Sequence, residues 1–381
     1  MKKMNLIKKS VFNITPYVAG KPIEETKRQL RLKQVIKLAS NENPLGASPK
    51  AIAAIKKNLS SINRYPDAQG FYLKRKIAKD LRVCPECIVL GNGSDEIIDI
   101  IIKTFVEPDE NIVTADNTFL EYDIVSKVNA KKISTVPLKY FKYDLGGIIR
   151  KINKKTKIVF IANPNNPTGT YVTKCELEDF LKKLPKNVIL VLDEAYDVFI
   201  DVDDYPFGVN YFNKNNVIVM KTFSKAYGLA GLRVGFALAR PEFTCFMERV
   251  RQPFNVNLLA QAAAIAALDD KKFLSRTKKN NLEGKKFLCD TLSNLGFAYI
   301  PSVANFILID IGKDCSAVFK DMLKLGLIVR DMKQYGLDNF IRVTIGTRKE
   351  NEKFIKVLRK VLGTNNLLPK RSIRYDHCPK A

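Results

Sequence analysis

From Ile88 onward, short β-branched apolar runs alternate with longer stretches whose apolar residues recur at helical spacing. The runs occupy residues 88–90, 112–114, 133–136, 157–162, 188–192, 217–220 and 234–238, with Thr114, Ser134, Thr135 and Lys157 as their polar members. A strand that faces water on one side alternates apolar and polar positions. A run without alternation is buried on both faces, as in a sheet covered by helices on either side. Seven such runs interleaved with helices predict an α/β architecture, a doubly wound and mostly parallel seven-stranded sheet. Ligands of such sheets bind beyond the carboxyl ends of the strands.

The pattern differs on either side of this block. Residues 1–45 read as a polar arm that also contributes to a smaller domain, with a basic helix at 23–30 and a short strand at 36 running into the polar turn 41–46. Two helices, 49–59 and 71–81, lead into the large domain, taken as 46–267. A long helical stretch, 253–295, leads into a small α+β domain, taken as 268–363. Its strands are expected at 297–300, 304–311, 326–330 and 340–345, with a helix at 316–325. Residues 364–381 are polar and aperiodic, which predicts a loose tail.

Composition narrows the function classes. The 381 residues are 46% hydrophobic and 27% charged, ordinary for a globular chain. No apolar run reaches the ~18 residues that span a bilayer, and the first residues lack the apolar core of a secretory leader, so a cytoplasmic location without membrane partners is expected. Seven cysteines show no framework spacing, and Cys84-Pro-Glu-Cys87 has no second pair; free thiols and no metal are expected. The net charge of +25 raises a basic nucleic-acid-binding protein as a distant alternative. The charges are spread along presumed helix faces without a nucleic-acid-binding motif. No nucleic-acid partner is therefore expected, and the field favours small anionic substrates by steering.

Candidate chemistry falls where the strands end. Thr222-Phe-Ser-Lys-Ala-Tyr-Gly-Leu-Ala-Gly-Leu-Arg-Val-Gly235 follows the 217–220 run. Its Lys225 has aliphatic, Ser, Gly and Tyr neighbours that suit an amine nucleophile forming a Schiff base. Ser224 and Arg233 suit a phosphate, and an aldehyde carrying a phosphate is pyridoxal 5'-phosphate. The alternative here is a basic surface turn. Gly91-Asn-Gly-Ser-Asp-Glu96 opens a helix whose first N–H groups, at Ser94 and Asp95, suit the same phosphate. Asn163-Pro-Asn-Asn-Pro-Thr-Gly169 is a rigid turn presenting Asn166, with cis bonds available before its prolines. Asp193, after the 188–192 run, suits a protonated pyridine nitrogen, or else caps a helix. Tyr196 and Asn166 suit the ring's phenolic oxygen.

Together these segments resemble the fold type I pyridoxal-phosphate aminotransferases. With Pro16-Tyr17, Asn41-Glu-Asn-Pro-Leu-Gly46, Arg64-Tyr-Pro-Asp67, Phe254-Asn-Val-Asn257 and Ile341-Arg-Val-Thr-Ile-Gly-Thr-Arg348, the resemblance narrows to the histidinol-phosphate aminotransferase family over about residues 12–360. It implies Lys225, Asp193 and Tyr196 as catalytic residues. It implies Ser94, Asp95, Phe119, Asn166, Asp193, Tyr196, Ser224, Lys225 and Arg233 as cofactor ligands, with Tyr65 arriving from a second subunit of a homodimer. Phe119 takes a ring-stacking position where many members carry Tyr. Tyr17, Asn43, Asn166, Arg330 and Arg342 are implied to bind the substrate, a small anionic amine or 2-oxo acid. The activity implied is amine exchange between L-histidinol phosphate and 2-oxoglutarate in histidine biosynthesis. Aromatic amino acid aminotransferases and threonine-phosphate decarboxylases share the fold and remain alternatives.

Overall fold

The computed structural model describes residues 6–12, 14–16 and 20–363. Its strands in chain order are β1 (Ile36–Lys37), β2 (Ile88–Gly91), β3 (Asn111–Ala115), β4 (Lys132–Val136), β5 (Thr156–Ala162), β6 (Ile189–Asp193), β7 (Val217–Thr222) and β8 (Gly235–Leu238), followed by β9 (Tyr299–Ile300), β10 (Phe306–Asp310), β11 (Leu327–Ile328), β12 (Arg330–Asp331) and β13 (Phe340–Thr344). All seven expected runs join one sheet, in the order β2-β8-β7-β6-β5-β3-β4. Every partner is parallel except β8, which runs antiparallel to both neighbours.

Both faces of this sheet are covered. On one side the isoleucines of the helix Ser94–Phe105 pack with Phe160, Val191, Ile218 and Met220. On the other, the helices Phe71–Leu81 and Leu258–Leu268 pack against Leu90, Val159, Leu190 and Val219. At about 25 cal/mol per Å² of apolar surface, this double burial is the main drive for the layered arrangement.

A second core lies around β10 and β13, with the helices Cys315–Lys324, Arg348–Leu362 and the later part of Lys271–Asn294. Here the sheet order is β12-β13-β10-β9. The expected strand 326–330 is two short strands, because Val329 breaks the pairing: β11 pairs in parallel with β1 of the arm, and β12 joins β13. The arm is thereby stitched into the smaller core.

Two expectations are corrected. The helical stretch 253–295 is two helices, Leu258–Leu268 and Lys271–Asn294, because the Asp270 carboxylate accepts the N–H of Phe273 at 3.2 Å and caps a new start. Cys84 and Cys87 are not free thiols: a short 3-10 turn sets their Cα atoms 5.5 Å apart and they form a disulfide. The expected tail 364–381 and Tyr17 lie outside the described residues.

Candidate functional site

The reversed strand β8 assembles the first half of the site. Its register places Gly235 opposite Gly91 on one side and Thr222 on the other. Three loops therefore meet at one edge: the turn into the helix Ser94–Phe105, the segment carrying Ser224 and Lys225, and the turn holding Arg233. Arg233 sits in the left-handed region at φ 53° and donates through Nη2 to Asp95 Oδ2 at 2.8 Å and through Nη1 to Ser224 Oγ at 3.4 Å. Gly93 has φ +83°, and a Cβ there would lie 2.3 Å from Arg233 Nη2. A Cβ on Gly235 would lie 3.1 Å from Ser94 N. Glycine at both positions leaves the guanidinium, the Ser224 hydroxyl and the start of a helix around one space, a donor set suited to phosphate.

β6 supplies the second half. Asp193 ends the strand, and each carboxylate oxygen accepts one hydrogen bond: Oδ2 from the Tyr122 hydroxyl at 2.7 Å, Oδ1 from the Ala195 N–H at 3.1 Å. Burial pushes this carboxyl up to about 6, against the pull of those two donors and of Lys225. A buried acid in that condition gains from a cationic partner such as a pyridinium N–H. The residues present thus fit the expected cofactor at its ring nitrogen as well as at its phosphate.

Lys225 follows β7, and its Nζ donates to the Ser40 carbonyl at 3.1 Å and lies 5.9 Å from the centroid of the Tyr196 ring. The next two links use the same piece of the arm. Arg342 Nη2 donates to the Ala39 carbonyl at 2.8 Å, and Asn41 Nδ2 donates to the Tyr196 hydroxyl at 2.9 Å. Arg342 Nη1 also donates to Asn166 Oδ1. The three residues 39–41 therefore connect the lysine, the tyrosine and the arginine. Asn43, two residues on, donates to the Ala226 carbonyl at 2.8 Å and to Thr277 Oγ1 at 3.1 Å, bracing the lysine's own segment.

Arg330 and Arg342 are both buried and sit directly opposite each other in the register of β12 and β13. Arg342 lies in the middle of β13. Arg330 Nη2 donates to Gln334 Oε1 at 3.1 Å, while Arg342 Nε has no acceptor among the described residues. Like charges opposed on neighbouring strands repel unless an anion lies between or beside them.

Behind these groups lies a buried ion network. Lys221 Nζ bridges Glu194 Oε2 at 2.6 Å and Asp197 Oδ2 at 2.5 Å, and Glu194 Oε1 accepts the Gly208 N–H at 2.6 Å. It ties the ends of β6 and β7 together. The asparagine-rich turn has cis bonds at Asn163-Pro164 and Asn166-Pro167.

Two expected residues stand apart within this chain. Tyr65 is 81% exposed and stacks on Phe254 with centroids 4.6 Å apart. Phe119 packs edge-on against Tyr122 at 5.6 Å, and no contact described joins it to Lys225. Sequence reasoning missed Tyr122, Asn41, Lys221 and Glu194. Only Asn41 and Glu194 lay inside segments already singled out, as neighbours of Asn43 and Asp193.

Known proteins resemble the chain along most of its length. The family described as "Aminotransferase class I and II" matches residues 33–358. The chain is 47% identical over 357 residues to the histidinol-phosphate aminotransferase of Moorella thermoacetica, covering 93% of this chain and 92% of that protein. It is 46% identical to histidinol-phosphate aminotransferase 2 of Carboxydothermus hydrogenoformans, covering 94% and 99%. Among solved structures, the Sinorhizobium meliloti histidinol-phosphate aminotransferase in complex with pyridoxal-5'-phosphate superposes with a TM-score of 0.87 at 28% identity, covering 94% of this chain and 98% of that one.

Proposed function

The chain belongs to the class I and II aminotransferase family, and from that premise we propose that it exchanges an amino group between L-histidinol phosphate and 2-oxoglutarate, using pyridoxal 5'-phosphate. When bound, the cofactor supplies an electron sink that loosens a proton on the carbon bearing the substrate's amine. The protein's task is to hold that group and move the proton.

Ser94, Asp95, Ser224 and Arg233 bind the phosphate end. Asp193 would keep the ring nitrogen protonated, Asn166 and Tyr196 would hold the ring oxygen, and Phe119 would pack against the ring. Lys225 anchors the cofactor. Its Nζ, once free, would be the base that takes the proton from the substrate carbon and delivers it to the cofactor's carbon. The Ser40 carbonyl marks where that amine rests.

One observation carries the substrate reading: the buried, register-opposed Arg330 and Arg342. A pair of guanidiniums forks equally well onto a phosphate monoester and a carboxylate, so one site can accept histidinol phosphate and then the dicarboxylic acid that completes the cycle. Asn43 shapes the pocket wall, with Tyr17 expected beside it. A homodimer is proposed because Tyr65, exposed amid Ile62, Phe71, Tyr72 and Phe254, is available to a second copy's phosphate site. Among the described residues no helix is long and apolar enough to cross a membrane, and a cytoplasmic location without a nucleic-acid partner is proposed.

A substrate panel on the cofactor-loaded protein tests the reading. Amine transfer from histidinol phosphate should exceed transfer from phenylalanine, and threonine phosphate should release no carbon dioxide. The opposite ranking would transfer the assignment to one of the sister activities. Lys225→Ala should abolish covalent cofactor and turnover together; wild-type turnover in that variant would refute the lysine's role.

A further inference from the structure

We propose that Tyr122 is a positioning residue for the cofactor: its hydroxyl holds Asp193 aimed and ionised for the ring nitrogen while its ring braces Phe119. The inference rests on the cofactor placement given above and assigns a role to a side chain outside that set.

Tyr122 is fully buried, near the start of the helix Glu121–Val128. One face of its ring stacks on Phe160 of β5, with centroids 4.7 Å apart and planes at 10°. Phe119 meets it edge-on at 5.6 Å and 88°. Two packed aromatic contacts leave the phenol little freedom, and its oxygen is fixed 2.7 Å from Asp193 Oδ2. Among the described residues it is the side chain that hydrogen-bonds Asp193; the other donor is the Ala195 N–H. With one donor on each oxygen, the plane of the carboxylate is set.

The charge environment explains why such a donor matters. The groups that interact with Asp193 from the surrounding elements are Tyr122, Asp95, Lys225, Tyr143 and Tyr205. Burial favours the neutral acid, and so does the negative charge of Asp95; Lys225 and the Tyr122 hydrogen bond favour the carboxylate. Removing the Tyr122 donor leaves one fewer group opposing protonation. A neutral Asp193 offers no charge to a pyridinium. The same side chain touches Phe119, so the residue under the ring nitrogen and the residue over the ring face share one support.

The test compares cofactor-free wild type, Tyr122→Phe and Phe160→Leu. Tyr122→Phe keeps both ring contacts and removes only the hydroxyl, whereas Phe160→Leu keeps the hydroxyl and loosens the ring. The probe is pyridoxamine 5'-phosphate, whose capture needs no bond to Lys225, titrated by fluorescence between pH 5.5 and 9. Loss of a charge-assisted hydrogen bond is expected to weaken binding by Tyr122→Phe about tenfold near pH 6.5, with the deficit shrinking toward pH 9. Phe160→Leu should show a deficit that does not vary with pH. A variant-to-wild-type ratio for Tyr122→Phe that is flat across pH, or that matches Phe160→Leu, overturns the proposal. Failure of wild type itself to bind the probe would instead overturn the cofactor placement on which it rests.

Discussion

Replacing Asp193 by Asn should stabilise the cofactor-free protein while destroying its use. The carboxyl of Asp193 is pushed from 3.8 to about 6, chiefly by burial. That displacement corresponds to about 3 kcal/mol favouring the protonated form. The sign follows from proton binding. Between those two values the folded protein holds a proton that the unfolded chain has released, so stability is fully present below pH 3.8 and is lost as pH rises through about 6. By this reasoning about half of the loss is already present at pH 5 and the rest accrues by pH 8. Asparagine carries no charge to desolvate. It can accept from only one of the two present donors, Tyr122 or Ala195, which costs about 1 kcal/mol. The variant should therefore be more stable than wild type at pH 8 by about 2 kcal/mol, with the advantage shrinking to about 0.5 kcal/mol toward pH 5. Urea unfolding of the two cofactor-free proteins at both pH values measures this, and comparing them cancels the titration of every other group. Adding pyridoxal 5'-phosphate should then stabilise wild type more than the variant, which keeps the groups proposed to hold phosphate and Lys225 but lacks the charge at the ring nitrogen. A variant that is less stable at pH 8, or equally displaced at both pH values, would refute the claim that a buried, reluctant charge sits at the end of β6.

The remaining predictions concern backbone positions. Gly93→Ala forces a side chain into the left-handed region and against Arg233; displacing the guanidinium should weaken cofactor binding roughly 10- to 100-fold, the value of a charged hydrogen bond. Unchanged affinity by fluorescence titration would remove Arg233 from the phosphate site. Tyr140 and Phe141 occupy the two central positions of a tight hairpin, with φ 53° and 62°, between Lys139 and Lys142, which pair at 2.9 and 3.0 Å. Asn suits such a turn better than Tyr, and Tyr140 is mostly exposed, so Tyr140→Asn should add about 0.5–1 kcal/mol of stability. A thermal midpoint that falls would show that the exposed ring contributes more than the strain it carries.

The comparison of sequence with structure separates two kinds of information. Strand positions were readable because a doubly covered strand must be apolar on both faces, and runs such as 157–162 and 188–192 show no alternation. The chemistry at their ends was readable for the same reason: polar residues directly after an apolar run, such as Asp193, lie at the strand's carboxyl end. The reversal of β8 was not readable, since an apolar run looks the same in either direction. Nor were the links through Ala39, Ser40 and Asn41. Two of these acceptors are backbone carbonyls, which every residue has, and they meet Lys225 and Arg342 across 185 and 303 positions of chain. Tyr122 was hidden differently: an aromatic at helical spacing is ordinary core, and only the placement of β5 and β6 turns its hydroxyl toward a carboxylate.

That division bears on how the site is built. Asp193 and the loops proposed to hold phosphate are carried by the sheet, whose strands are each legible as local apolar runs. On the other side, Ser40, which accepts from the Lys225 amine, and Asn41, which donates to Tyr196, come from an arm stitched through β1 to the smaller core, and Arg342 comes from β13 of that core. The arm is seated against the lysine segment by close backbone approach: a Cβ on Gly228, at φ +70°, would lie 2.1 Å from the Gly46 carbonyl oxygen. The proposed cofactor and substrate contacts thus rest on separate hydrophobic cores joined by a few irregular residues. A shift of the smaller core relative to the sheet would therefore alter the contacts of Lys225 and Arg342 while leaving Asp193 and Arg233 in place.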